Sequence, residues 1–424
     1  MKKSFLLIGL LALGFFGQGQ LLKKITDRVK NRTESNANNK INNAVDRTVD
    51  DAMNPNTYKG DKSKDTSNNP VNKEPTNQSN PTTAADFKTF SKYDFVPGAK
   101  VMGFEDFSTG NIGDSPVGWN STASSEIVTV NGRPGRWLWL TARGEFVPQF
   151  HQPFPEDFTL EFDLLHGIPI NGGQFQVCIA ELANMNQPQY WSMSPNQFTI
   201  ELNNANTGTE TGVTRFIGRK NSSTDIQNTS EAPNLNDKNN PAHISIWRQK
   251  ERVRVYVNEK KIWDVPMATT KEAKFNSVVF SVIYAEEVVK HFIGNLRFAV
   301  GAPDTRKKIL EQNKWVTHGI LFDVNSDKIK PESYGTLKEM ANVLKEFADL
   351  RVKIVGHTDA DGNDASNLDL SKRRAASVKE ALSMEFNIDG GRMETDGKGE
   401  SEPIEKNENP AGKANNRRVE FIKL

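Results

Sequence analysis

The sequence predicts a multidomain chain: an all-β sandwich, then a small α/β sandwich, both preceded by a polar tether. Three observations carry this. From residue 86 to 300, apolar residues alternate in short runs separated by Gly, Asn and Pro, the texture of antiparallel strands. After residue 300, short apolar strands alternate with segments whose apolar residues recur every three or four positions. Between residues 54 and 83 aliphatic side chains nearly vanish in favour of Asn, Lys, Ser, Thr and Pro. A chain of 424 residues has room for two or three cores, and 36% hydrophobic residues is low for one that folds throughout.

In chain order, Met1-Lys2-Lys3 is a basic start and residues 5–16 are apolar but too short to span a bilayer. Gly17-Gln18-Gly19 supplies small residues for cleavage, so residues 1–19 read as a signal peptide. No cysteine follows the apolar run, so no lipid anchor is expected; no other run approaches a membrane span. The expected location is therefore outside the cytoplasm. In the tether, residues 20–85, Leu21, Leu22, Ile25 and Val29 form one narrow helical stripe. Ile41, Val45, Val49 and Ala52 form another, and residues 54–83 read as a disordered spacer. A net charge of +1 provides no global field for nucleic acid.

In the expected sandwich, residues 86–300, Phe158, Leu160, Phe162 and Leu164 alternate. So do Phe198, Ile200 and Leu202, then Ile244 and Ile246, then Val253, Val255 and Val257, then Val278, Phe280 and Val282. Cys178, the one cysteine, lies in an apolar run and reads as an inert core thiol. Glu161-Phe162-Asp163 puts two carboxylates on one side of a strand, as some glycosidases do. No further glutamate follows closely as acid or base partner, so solvent-facing carboxylates are the expectation. Trp119, Trp137, Trp139, Tyr190, Trp191, Trp247 and Trp263 are expected mostly in the core or at sandwich edges.

Residues 301–314 read as a partly helical connector. In the α/β region, residues 315–424, Ile320-Leu321-Phe322 is the expected first strand. Leu337, Met340, Ala341, Leu344 and Phe347 mark a helix, and residues 351–355 a strand. A helix over about residues 367–385 shows Leu370, Arg374, Val378 and Leu382 on one face; strands over 393–396 and 418–422 complete the sheet. Asp359 lies just beyond a strand and Arg374 fifteen positions later, so the turn folds an anion back towards a cation. Such a pocket suits a zwitterion, since Arg grips a carboxylate bidentately and Asp accepts from an ammonium. An Asp and an Arg so placed near a helix start more often form a structural ion pair than a ligand site. Asp359 to Asp364 is no calcium loop of the EF-hand kind: its sixth position is Asp364 and its twelfth Leu370. His357 has no second His or Cys nearby to complete a metal site, and no cofactor is expected.

The stretch Gly356, His357, Thr358, Asp359, Gly362, then Asn367, Leu370, Ser371, Arg374 and Ala375, resembles the peptidoglycan-binding domain of the OmpA-like family. Phe322-Asp323 and Asn416-Arg417-Arg418-Val419 match its opening and closing motifs. The resemblance covers roughly residues 315–424. It implies non-covalent binding of the diaminopimelate of peptidoglycan stem peptides, with Asp359 taking the amine and Arg374 the carboxylate. Asp323, Asn367 and Arg417 would help seat the peptide. Lys413 stands where the family more often has Arg. Residues 246–260 and Gly103-Phe104-Glu105-Asp106-Phe107 resemble, more loosely, concanavalin-A-like and laminin-G-like sandwiches, which implies a lectin-like jelly roll.

The expectation is a non-enzymatic envelope protein of the periplasm, wall-bound and outer-membrane associated. Its sandwich would offer a glycan or an envelope protein a second surface. The alternatives are a wall-tethered polysaccharide-degrading enzyme and a scaffold for an outer-membrane protein. Limited proteolysis should cut residues 54–83 first and leave a folded fragment starting near Asp86, read by mass spectrometry. Digestion of the sandwich before that stretch would refute this division.

Overall fold

Sheet A follows directly from the alternation. In the computed structural model, which describes residues 93–424 apart from 151–152, 167–173, 185, 204–210, 238–239, 284–289 and 302–303, the middle region is two packed antiparallel sheets. The expected signal peptide and tether lie outside the described residues. The strands are β1 (Lys100–Glu105), β2 (Trp119–Ser121), β3 (Ser125–Val128), β4 (Trp137–Leu140) and β5 (Gly144–Pro148). Then come β6 (Asp157–His166), β7 (Gln174–Ala180), β8 (Gln197–Asn203), β9 (Gly212–Lys220) and β10 (Ser223–Ala232). β11 (Ala242–Gln249), β12 (Arg252–Val257), β13 (Lys260–Val265), β14 (Ser277–Val282) and β15 (His291–Val300) complete the sandwich. Sheet A runs β13-β12-β11-β6-β15-β4-β3, with β1 beside the other half of β15; sheet B runs β10-β9-β8-β7-β14-β5-β2.

The apolar sets read from the sequence meet between the sheets. Phe158, Leu160, Phe162 and Leu164 of β6 face Phe175, Val177, Phe198, Ile200 and Phe280 from sheet B in one core. Cys178 is fully buried, and burial pushes its thiol up to about 12, so it carries no reactive thiolate at neutral pH. Trp137 and Trp247 are buried, while Trp119 and Trp263 pack against the core from its margin.

The other face of β6 overturns one expectation. Glu161 is 3% exposed and Asp163 mostly covered, so these carboxylates do not face solvent. Alternation places them outward from the sandwich core, but a second layer lies over that face. Residues 93–97 run across it, where Tyr93, Phe95, Val96, Trp247 and Tyr256 form an aromatic cluster. Tyr334 of the C-terminal domain packs against the same cluster.

That domain begins earlier than its first apolar strand suggests. Helix α1 (Thr305–Glu311) is capped by Asp304 and buries Ile309 in the C-terminal core. Next come β16 (Lys314–Thr317), α2 (Tyr334–Glu346), β17 (Val352–His357), α3 (Asp364–Phe386), β18 (Met393–Gly399), α4 (Pro410–Asn416) and β19 (Val419–Lys423). The four-stranded sheet runs β16-β19-β17-β18, with β17 and β18 parallel across α3. The expected strand Ile320-Leu321-Phe322 is instead irregular, with a single bridge from Phe322 to Ile329 across the turn at Val324-Asn325. The sheet takes Trp315, which stacks on Phe421, and the chain then leaves it to bury Ile320. Among the described residues no helix is long and apolar enough to cross a membrane.

Two contacts lock the domains together. The Asn415 side chain accepts from the Val101 N–H (3.0 Å) and donates to the Val101 carbonyl (2.8 Å), all buried. The backbone at Gly335 abuts that of Phe95 so closely that a Cβ there collides with the Phe95 carbonyl oxygen. Gly335→Ala should therefore destabilise the chain by about 1–3 kcal/mol and split one calorimetric transition into two as the seam opens. A variant that melts in one transition at the wild-type temperature would show that the seam tolerates the extra methyl.

Candidate functional site

The C-terminal half of the site is set by how α3 sits on the sheet. A Cβ at Gly356 collides with the Ser371 carbonyl, so only glycine lets the helix lie this close to β17. The buried stripe of α3 is Asn367, Ser371, Ala375, Val378, Leu382 and Phe386. It sits beside the expected stripe, sharing Val378 and Leu382 and leaving Leu370 and Arg374 half-buried at its edge. The polar members have partners: Ser371 accepts from the Gly399 N–H (2.9 Å), and the Asn367 amide donates to the Asp359 and Asp361 carbonyls (3.4 and 3.1 Å). Asn363 caps the helix by accepting from the Ala365 and Ser366 N–H groups.

This fixes the loop that carries Asp359. Its Oδ1 accepts from the Asp361 N–H (3.2 Å), and its Oδ2 is paired with Arg417 at the C-terminal end of α4. Arg374 is held differently. Its Nε donates to the Ser326 carbonyl (3.0 Å), its guanidinium lies over the Phe322 ring (4.8 Å), and no carboxylate stands within ion-pair distance among the described residues. Burial and the neighbouring Arg417 charge lower its pKa, while Asp359 acts in the other direction. The cationic partner of Asp359 is thus Arg417, with Arg374 within the field of both. Asn367 is buried behind the loop as its clamp. Asp323, half-exposed and paired with Lys328 (3.5 Å), lies in the turn whose Ser326 carbonyl receives Arg374. Lys413 pairs with Asp361 (2.7 Å). His357 is buried 3.6 Å from Glu420, whose carboxyl burial would raise, but His357, Lys314 and Arg418 bring it down to about 2.

Arg374 and Arg417 line a cavity of about 580 Å³ whose opposite wall is the outer face of sheet A. Val324, 82% exposed, is also in its lining, so the cavity reaches solvent there. On the sandwich side the register sets Glu161 opposite Arg297 and Asp163 opposite His243. A bulge in β15 at Asn295 and Leu296 turns Asn295 onto Asp163 (2.6 Å). Arg297 lies 3.3 Å from Glu161, and His243 2.7 Å from Asp163 and 3.7 Å from Glu161. Arg297 and His243 escape a sequence reading. Each shows as a polar residue at an outward strand position, but only the sheet order reveals which carboxylate stands opposite.

These charges sustain one another. Burial alone would raise the Asp163 carboxyl, yet the hydrogen bonds and charge of His243, with Asn295, hold it below the ordinary range. Burial opposes an imidazolium, but Asp163 and Glu161 outweigh it and lift His243 to about 10. His318, in the seam and donating to the Asn415 carbonyl (2.9 Å), is driven down to about 3 by burial and by Arg297, so it stays neutral.

Residues 321–417 match the OmpA family model. Outer membrane porin F of Pseudomonas aeruginosa is 41% identical over 101 residues, 24% of this chain and 29% of that protein. The outer-membrane lipoprotein YfiB of the same organism is 38% identical over 103 residues, 24% of this chain and 61% of that protein. The chain thus spans less than two thirds of either relative. The crystal structure of the peptidoglycan-associated lipoprotein from Burkholderia pseudomallei superposes with a TM-score of 0.25 at 26% identity, covering 29% of this chain and 98% of that one.

A histidine near 10 when folded and about 6.5 unfolded binds its proton more tightly in the native state. Its contribution to stability is full below about pH 6.5 and fades as pH rises towards 10. The gap in melting temperature between wild type and His243→Gln should therefore narrow across that window. A gap that stays constant would mean that His243 is not charged at neutral pH.

Proposed function

We propose that this protein, through the OmpA family domain at residues 321–417, holds peptidoglycan non-covalently by the diaminopimelate of its stem peptides. The observation that carries the reading is Arg374: a half-buried guanidinium on a cavity wall, oriented by a carbonyl and an aromatic ring, with no carboxylate in ion-pair reach among the described residues. A ligand carboxylate completes it with two parallel hydrogen bonds. Asp359 supplies the complementary anion for the ligand ammonium, which displaces Arg417 from it. Arg417 is then free to turn to the ligand. Asn367 keeps the Asp359 loop in place, and the role of Asp323 would be with the rest of the peptide.

The relatives named as outer membrane proteins support a location in the cell envelope, associated with the outer membrane. In this reading the site binds without turnover. A glycosidase acid needs a raised pKa, whereas Asp163 is held low and Glu161 is buried between Arg297 and His243. The sandwich, read as concanavalin-A-like, presents a second surface to a glycan or envelope protein; Tyr190, 48% exposed, is an aromatic face available there.

Sedimentation with diaminopimelate-type peptidoglycan tests the reading. Arg374→Ala and Asp359→Asn should each cost about 2–4 kcal/mol, so binding falls roughly thirtyfold or more. Arg374→Lys should restore little, because the planar fork is lost. Wall amidated at the diaminopimelate carboxylate should also bind poorly. Wild-type sedimentation by both charge-removing variants would reduce the pair to a structural role, and release of reducing sugar from the wall would reinstate an enzyme.

A further inference from the structure

The sandwich wall of the cavity holds a group that the C-terminal domain does not explain. Arg297 is 6% exposed and lines the cavity. Its Nη1 is directed to Glu161, but its Nη2 is buried with no hydrogen-bond partner among the described residues. A buried guanidinium nitrogen left unpaired is costly, and a ligand acceptor in the cavity removes that cost. Across the seam stands Arg417, lining the same cavity and laid over the Phe104 ring of β1 (5.2 Å). Burial lowers the pKa of Arg297, and the Arg417 charge is near enough to add to that lowering.

Charge matching narrows the ligand. Arg297 is balanced by Glu161, His243 by Asp163, Arg418 by Glu420 and Arg417 by Asp359, while Arg374 has a carbonyl and a ring. A diaminopimelate end, itself neutral overall, occupies Arg374 and Asp359 and sets Arg417 free without adding net negative charge. A second carboxylate then meets two arginines, one from each domain.

We propose that Arg297 of the sandwich and Arg417 of the C-terminal domain form a second carboxylate subsite, which takes the free C-terminal carboxylate of the same stem peptide. This rests on the peptidoglycan reading above. It makes the sandwich part of the wall-binding site and makes the protein selective for stem peptides whose terminal carboxylate is not bonded in a cross-link.

The test is calorimetric titration of the full chain with a soluble diaminopimelate-containing stem tetrapeptide and with its C-terminal amide. Wild type should bind the acid more tightly than the amide by roughly thirtyfold or more, the effect of losing the charge that the two arginines share. Arg297→Gln should bind both equally, with the amide affinity unchanged. Because that variant leaves Glu161 buried without its cation, the double variant Glu161→Gln/Arg297→Gln is titrated beside it and should behave alike. Equal binding of acid and amide by wild type, or discrimination kept by a folded Arg297 variant, overturns the subsite. A melting shift with inorganic phosphate that the double variant lacks, alongside equal binding of the two peptides, would assign a small-anion site instead and also overturn it. If wild type binds neither peptide, or Arg374→Ala binds them like wild type, the fault lies with the peptidoglycan reading.

Discussion

The reciprocal hydrogen bonds between the Asn415 side chain and the Val101 backbone are the constraint on which the rest of the molecule turns. They clamp α4 to β1 at a position where both groups are buried, so neither can exchange its partner for water. Ala414 adds an apolar contact to Val101 and Ala299, and His318 donates to the carbonyl of the same Asn415. Two residues later the chain reaches Arg417. Its place over Phe104 and beside Asp359 is therefore set by a contact with the other domain. The cavity exists because the seam is held on one side by α4 and on the other by residues 93–97.

Covering the outer face of sheet A has an electrostatic price that the register resolves. Isolated buried charges are strongly unfavourable, and removing one partner of a buried pair typically costs about 3–5 kcal/mol. Here cross-strand pairing delivers a cation opposite each buried carboxylate: Arg297 to Glu161 and His243 to Asp163. The imidazole near 10 is what such a site demands, since a neutral histidine would leave two carboxylates and one guanidinium. The network does more than stabilise, because each ion pair orients a side chain on the cavity wall. Such networks specify geometry even where an apolar substitute would match their stability.

Legibility followed the range of the interactions concerned. The strands around Phe158 to Leu164, Ile244 and Ile246, and Val278 to Val282 were readable because alternation is local and their alternate apolar residues all enter one core. The α3 helix was readable as a helix, but its buried stripe was displaced. Asn367 and Ser371 are buried by virtue of hydrogen bonds to a loop and a strand end, which apolar periodicity does not register. Ile320 to Phe322 was read as a strand because an apolar triplet looks the same whether it pairs or merely turns inward. The solvated reading of Glu161 and Asp163 failed for a different reason: alternation says which way a side chain leaves its sheet, not what lies over it. Likewise the fifteen-residue spacing put Asp359 near enough for its charge to act on Arg374, whereas the pairing of Asp359 with Arg417 depends on a helix that comes more than forty residues later.

The course of residues 93–97 bears on how the molecule carries mechanical load. This segment enters the seam with its Phe95 carbonyl against Gly335 and its aromatic rings wedged between Trp247, Tyr256 and Tyr334. Tension applied at Tyr93 therefore loads both domains at once: the same rings bear on Trp247 and Tyr256 of the sandwich and on Tyr334 of the C-terminal domain, and the chain enters β1 at Lys100.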